Sequence, residues 1–198
     1  MADLRTRLIR ALEVPGGGSS DFDLTPGLGV PKRRALRPAA VLVPVIATPH
    51  GASVMLTKRS SALAHHPGQV AFPGGKVDAG DKGPVQAALR EAEEEVGLPR
   101  ARVDVLGTLP NHITVTGYDV TPVLGLIEGD VTPVPEAGEV DEAFFVPLSF
   151  VTTPDNFRIE GRRWQGMMRH YYAVPLGPYY IWGATARILR GFADRMVP

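Results

Sequence analysis

An α/β (α+β) fold, a mixed β-sheet sandwiched between helices as an α/β/α sandwich, is predicted by three observations. Short β-branched runs separated by Gly or Pro recur from residue 39 to residue 183. An amphipathic helix pattern interrupts them near residues 82–96, and a second runs from Ala184 to Met196. Strands first, a helix in the middle and another at the end require that the helices cover the sheet.

In chain order, MADLRTRLIRALEV carries Leu4, Leu8, Ile9 and Leu12 at helical spacing with charges between them, which predicts a helix and no signal peptide. Its apolar stripe either folds back onto the domain or meets a second copy. PGGGSSDFD then reads as a flexible connector, and the basic PKRRALRP leads into the core. AAVLVPVIATP, residues 39–49, reads as a strand, with GASVMLTKR as its partner across a Pro-His-Gly turn. FPGGKVDAGD reads as a loop entering the central helix, for which Asp81 is the expected N-cap, Pro84 lies in the first turn and Gly97 is the left-handed stop. VDVLGTL, VTPVLGLIE, AFFVPL, RHYYAVPL and YYIWG supply further strands, and Ile188, Phe192 and Met196 mark the closing helix. Residues 1–198 are expected to form one domain, with 1–36 as helix and connector and 37–198 as core.

Composition narrows the chemistry. A 44% hydrophobic content over 198 residues supports a real core. Basic and acidic side chains balance at 21 each, which leaves no net field to gather nucleic acid or an anionic membrane. No stretch is apolar enough to span a bilayer. Without cysteine there is no thiolate metal site, so a metal would be held by oxygen or imidazole, and the absence fits a cytoplasmic setting.

The stretch REAEEEVGL crowds glutamates onto the central helix, where like charges three and four apart repel by roughly 0.2–0.5 kcal/mol per pair. At 100° per residue Val85, Ala88, Leu89, Ala92 and Val96 form the buried stripe, while Glu91, Glu94 and Glu95 share another arc and Glu93 points away. Ala87, on the acidic arc, would keep the approach open. Three carboxylates on one arc suit a hard divalent cation, magnesium or manganese, that supplies the missing counter-charge. A solvated acidic face is the alternative. Gly74, Gly75 and Gly80 in the preceding loop suit a sharp turn or a close approach of backbone to ligand. The GGK string is no phosphate-cradling P-loop, because its Gly spacing is wrong and no Ser or Thr follows Lys76.

Taken together, Gly75 to Leu98 resembles the Nudix box, G-x5-E-x7-R-E-U-x-E-E-x-G-U with U aliphatic. Arg90, Glu91, Ala92, Glu94, Glu95, Gly97 and Leu98 match, whereas Asp81 stands for the first glutamate with one extra residue before Arg90. That spacing is similar to the coenzyme A pyrophosphatase branch, as is LTKRSSALAHHPGQVAFPGG, where Leu56, Thr57, Arg59, Ser60, Gly68 and Phe72 to Gly75 match the branch's additional motif. Met55 replaces a leucine there and Ala64 replaces an arginine.

The resemblance implies a Nudix-type sandwich with a catalytic strand-loop-helix. It implies magnesium- or manganese-dependent hydrolysis of coenzyme A to 4'-phosphopantetheine and adenosine 3',5'-bisphosphate, or of ADP-ribose or another nucleoside diphosphate derivative. A Nudix fold kept as a binding module is a third reading. The implied metal ligands are Glu91 and Glu95, then Glu94. Arg90 would fix the helix to the loop, and the general base would come from the box or from Glu139 or Glu142. Substrate contacts fall on Arg59, suited to a phosphate, and on Lys58, Ser60, Gly68, Gln69, Phe72, Gly74 and Gly75; Gln69 could equally lie in a strand ladder. His65 and His66 read as turn residues beside Pro67, and Tyr180 and Trp182 as core. The partner is a small-molecule diphosphate, bound by a monomer or homodimer, with neither nucleic acid nor membrane involved.

Overall fold

The computed structural model describes residues 2–25, 35–63, 66–164 and 166–197, and statements below concern these. Part of the basic stretch, residues 31–34, and the motif positions Ala64 and His65 lie outside the described residues.

The chain opens with α1 (Ala2–Glu13) and the short β1 (Ser19–Ser20), then forms the hairpin of β2 (Arg37–Thr48) and β3 (Gly51–Arg59). Two short strands, β4 (Val70–Ala71) and β5 (Gly74–Lys76), precede α2 (Pro84–Val96). Next come β6 (Asp104–Thr108), β7 (His112–Ile113), β8 (Tyr118–Glu128), β9 (Val140–Pro147) and the single turn α3 (Leu148–Val151). A second sheet, β10 (Arg158–Trp164), β11 (Met167–Leu176) and β12 (Tyr179–Trp182), leads into α4 (Gly183–Met196).

β2 organises the main sheet. It lies parallel to β8 from Arg37 opposite Tyr118 to Ala47 opposite Glu128. Its C-terminal half pairs antiparallel with β3. Where β3 diverges, β5 takes its place, with Ala39 opposite Lys76 and Val41 opposite Gly74. A parallel neighbour and cover on both faces explain why β2 is apolar almost throughout instead of alternating. One edge of β3 carries β9, and the other, past the end of its pairing with β2, carries β4.

Two apolar clusters lie on opposite faces. On one, Ala40, Leu42, Met55 and Val123 pack under Ala88, Ala92 and Val96 of α2. On the other, Val43, Leu56, Leu124 and Phe144 pack under Leu8 of α1 and Ile188, Leu189 and Phe192 of α4. The stripe on α1 therefore has its partner within the chain, since Leu8 and Ala11 are wholly buried there. Burying a leucine contributes about 1.5–3 kcal/mol. The mixed sheet between helices expected from the sequence is present.

Three details depart from expectation. The connector is pinned from Ser19 onward: β1 runs parallel to β7, and buried His112 bonds Ser19 Oγ through Nδ1 (2.9 Å) and Asp21 through Nε2 (3.3 Å). Asp21 also accepts the Val115 N–H at 2.8 Å. Second, Gly74–Lys76, expected as loop, is strand, because the gap left by β3 offers unpaired β2 backbone. Third, the charged RIEGRRW segment is a strand, mostly exposed over residues 158–163, so it carries no apolar alternation. No described helix is long and apolar enough to cross a membrane.

Candidate active site

The central helix begins with Pro84 after Gly83 and ends at Gly97, whose φ of 65° lets its N–H reach the Glu93 carbonyl (3.1 Å) while Leu98 N–H reaches that of Ala92 (3.3 Å). Asp81 is not the cap. It accepts Nε and Nη2 of Arg90 at 3.2 and 3.0 Å and the Asp78 N–H at 2.9 Å. A forked, charge-assisted pair outcompetes a single bond to a helix N–H, and the Arg90 bonds hold the Asp81 carboxyl below its ordinary range.

Arg90 also answers the question raised by the crowded glutamates. Its Nη1 donates to Glu91 (2.9 Å) and Glu94 (3.0 Å), and its Nη2 to the Lys76 carbonyl (3.2 Å). One guanidinium thus ties α2 to β5 and to the Asp78–Asp81 turn. Glu93, on the far side, pairs with Arg100 at 2.7 Å.

Glu95 occupies a different environment, only 5% exposed, with its Oε2 accepting the Gly74 N–H at 3.1 Å. Burial, followed by the charge of Glu91, raises its pKa to about 7 despite the Gly74 bond and the field of Arg59. Burial pushes Glu91 up as well. Gly75 passes so close to Glu91 that a Cβ there would sit 2.5 Å from its carboxylate. The two carboxylates therefore converge beneath the Gly74–Gly75 strap. Ala87, expected to keep the approach open, is wholly buried in the core instead, because that end of the acidic arc is still covered by the sheet.

Strand geometry sorts the remaining candidates. Facing residues on paired antiparallel strands share a side. Met55 and Ala143 lie in the α2 cluster, whereas Leu56 and its opposite Phe144 lie in the other. Lys58 and the facing Glu142 consequently project away from α2, and Glu142 accepts the Tyr179 hydroxyl at 2.5 Å. This removes Glu142 from the Glu91–Glu95 side. Arg59 and Glu139 lie near enough for their charges to act on Glu95, the first lowering and the second raising its pKa.

Two proposed substrate contacts belong to the scaffold. Phe72 is 4% exposed within the core, and buried Ser60 turns its hydroxyl to the Ala62 N–H (3.3 Å) while its own N–H meets the Glu139 carbonyl (2.8 Å). Gln69 directly precedes β4, its carbonyl accepting the Arg59 N–H at 3.0 Å, and its N–H meets the His66 carbonyl in the turn. Glu94 is exposed and directed to Arg90.

The aromatic residues read as core line a cavity of about 470 Å³ instead: Tyr180 and Trp182, with Tyr179, Lys58, Gly68 and Glu142. Sequence reasoning missed Tyr179, although the YYIW run holds an aromatic at each of the two strand faces.

Among the described residues no group of three or more His, Asp or Glu is drawn together tightly enough to enclose an ion. The buried Glu95 and the half-buried Glu91 beside the Gly74–Gly75 backbone nevertheless fit a hard divalent cation. Such ions bind one or two protein carboxylates and complete their coordination with water and substrate phosphate. Arg90→Lys keeps one charge and loses the fork that spans Asp81, Glu91 and Glu94. We expect kcat/KM to fall about 10–100-fold with circular dichroism unchanged, misplacement of about 1 Å being enough for such a loss.

The profile of the NUDIX domain matches residues 36–164. The uncharacterized Nudix hydrolase NudL of Cronobacter sakazakii is 42% identical over 157 residues, covering 79% of this chain and 81% of that protein. Its Escherichia coli K12 counterpart is 41% identical over the same shares. Among solved structures, the NUDIX domain of Shewanella oneidensis NrtR, crystallised with ADP ribose, superposes with a TM-score of 0.52 at 15% identity over 83% of this chain and 90% of its own. The MutT protein of Methanosarcina mazei Go1 gives 0.51 at 20% over 81% and 94%. These two likenesses concern the fold.

Proposed function

Because this chain belongs to the Nudix hydrolase family, we propose that it cleaves the diphosphate bond of coenzyme A, giving 4'-phosphopantetheine and adenosine 3',5'-bisphosphate. The family chemistry is hydrolysis of the pyrophosphate linkage of a nucleoside diphosphate derivative with a divalent metal cation. The observation that carries the reading is the Glu91–Glu95 pair under the Gly74–Gly75 strap, locked to α2 by Arg90.

Magnesium or manganese at that pair would neutralise the diphosphate and lower the pKa of water. Glu95 and Glu91 would hold the cation, with Glu95 Oε2 steadied by the Gly74 N–H. Exposed Glu94 would reach it through water. Arg90 keeps the carboxylates aimed, and Arg59, whose charge acts on Glu95, offers a forked contact to phosphate. Glu139, exposed and likewise acting on Glu95, takes the proton of the attacking water. The new bond joins this water oxygen to one phosphorus as the bridging P–O bond breaks, and each fragment leaves with a phosphate.

The coenzyme A half of the proposal is supported by the motif at residues 56–75, whose Ser60 and Phe72 fix the turn and strand that present Arg59 and the strap. Ala64, in place of the motif's arginine, favours ADP-ribose as the second reading. Coenzyme A and ADP-ribose supplied separately with saturating magnesium, with products resolved by chromatography, decide between them. We expect coenzyme A to be cut at least tenfold faster in kcat/KM; the reverse order would reject it as the substrate.

A further inference from the structure

We infer that the hollow between α4 and residues 14–19 is a second, non-catalytic site, built for the phosphate group of a small phosphate monoester. It lies in the α1–α4 layer, on the face of the sheet opposite to α2 with Glu91 and Glu95, so it stands or falls apart from the proposed hydrolysis. The cavity measures about 330 Å³. That is the lower end of the range for small-molecule sites, about 300–1,000 Å³.

Glycine makes the hollow. Arg187, Gly191 and Arg195 follow one another at four-residue intervals on α4 and so share one line of its surface. With no side chain at 191, the two guanidinium groups flank a bare floor. The nearest side-chain atom to a Cβ built there would be Arg187 Nη1, at 3.7 Å. The glycine-rich connector supplies backbone to the same cavity. At Gly16 a Cβ would lie 2.6 Å from Arg195 Nη2, and at Gly17 it would meet nothing within 4 Å.

Both arginines are anchored through one nitrogen and keep other donors free. Arg187 donates Nε to Asp23 at 3.0 Å, and Arg195 donates Nη1 to the carbonyls of Ala11 (3.4 Å) and Val14. Among the described residues, Arg187 Nη1 and Nη2 and Arg195 Nη2 meet no acceptor, although both side chains are partly buried. Side chains held in this way lose little freedom when a ligand binds. The carboxylates close by are already paired: Asp23 with Arg187, and Asp194, which also lines the cavity, with Arg190 at 2.8 Å. Three guanidiniums therefore stand against two carboxylates, one positive charge in excess. A phosphate monoester brings a charge of about −1.5 to −2 and three acceptor oxygens at neutral pH. Two planar forks match it better than they match a carboxylate with its two oxygens. The remaining lining is largely apolar, with Val14, Pro15, Leu109 and Pro110. That surface suits an organic group carried by the phosphate and leaves bare inorganic phosphate the weaker ligand.

Phenyl phosphate tests the site, titrated calorimetrically into the full chain with a chelator present and ionic strength held fixed, so that the catalytic carboxylates carry no cation to attract it. One saturable site is expected. Benzoate, the same ring on a carboxylate, should bind at least about tenfold more weakly. Arg187→Gln and Arg195→Gln should each weaken the phosphate about 10–100-fold, the loss of charge-assisted hydrogen bonds. Both substitutions also give up a contact to the N-terminal segment, so Gly191→Leu is the more selective variant. It fills the floor, keeps both arginines and replaces a poor helix former by a good one. It should fold with an undiminished melting temperature and bind no phenyl phosphate. Glu91→Gln, in the proposed catalytic pair, should leave the Kd unchanged. Absence of saturable binding in the wild type, an unaltered Kd in folded Gly191→Leu or in both arginine variants, or benzoate binding as tightly as phenyl phosphate would overturn the inference. So would a Kd that shifts with Glu91→Gln, which would put the phosphate at the catalytic face instead. Failure of coenzyme A hydrolysis sinks the substrate proposal alone, since the two sites share no residue.

Discussion

Glu95→Gln will lower kcat about 10³-fold, and it will raise the melting temperature of the metal-free protein at pH 8. The first effect is the loss of the several kcal/mol of charge stabilisation that a properly held cation provides. The second follows from burial. In the folded chain the Glu95 carboxyl titrates at about 7, above its ordinary value of 4.5. Between those two pH values the folded state binds more protons than the unfolded one, so metal-free stability declines as pH rises from about 4.5 to about 7 and then levels off. A shift of this size corresponds to a few kcal/mol at most, about 3 by linkage, and each kcal/mol moves the melting point of a chain this long by about 2–4 °C. Glutamine removes the buried charge and still accepts the Gly74 N–H. Scanning calorimetry from pH 5 to 8 without metal should show the decline in the wild type and a flatter profile in the variant. Magnesium should then stabilise the wild type at pH 8 and leave the variant unmoved. A variant less stable than wild type at pH 8 would contradict the geometry.

The paired glycines of the strap should separate folding from activity. A Cβ at Gly74 would lie 2.4 Å from the Ala40 carbonyl oxygen and 2.6 Å from Val41 Cα, both on the backbone of β2. Neither atom can yield without opening the β2–β5 pairing. Gly74→Ala should therefore cost about 1–3 kcal/mol, as overpacking typically does, visible as a lower denaturation midpoint. At Gly75 the obstructing atoms belong to the far end of the Glu91 side chain, which can swing aside. Gly75→Ala should leave the midpoint nearly unchanged and reduce kcat/KM about 100-fold, because a ligand displaced by about 1 Å no longer meets the reacting geometry. Equal stability losses in the two variants would mean that the strap does not distinguish backbone from side chain in this way.

Much of this site is written in local periodicity. The 3.6-residue repeat separates Glu91 and Glu95 from Glu93, and Gly97 ends α2 through its own positive φ. Ala87 shows the limit. It stands in line with Glu91 and Glu95, but a helical wheel carries no information on where along its axis the helix leaves the sheet. Asp81 shows another limit, since cap preference is a local quantity and Arg90, nine residues on, offers a stronger partner only once the turn has closed. Alternation likewise says that Lys58 and Arg59 point apart without saying which one meets the glutamates. Pairing of β3 with β9 settles that, and it carries Glu142 to the opposite side.

The sequence by itself determined most element types, the mixed sheet and the acidic helix face, because backbone period, glycine stops and apolar alternation act over a few neighbouring residues. Tertiary structure decided which carboxylate is buried, which cation faces it and that the YYIW aromatics border a cavity. Those outcomes depend on strand register and on the packing of segments distant in the chain, for which no local pattern holds the information.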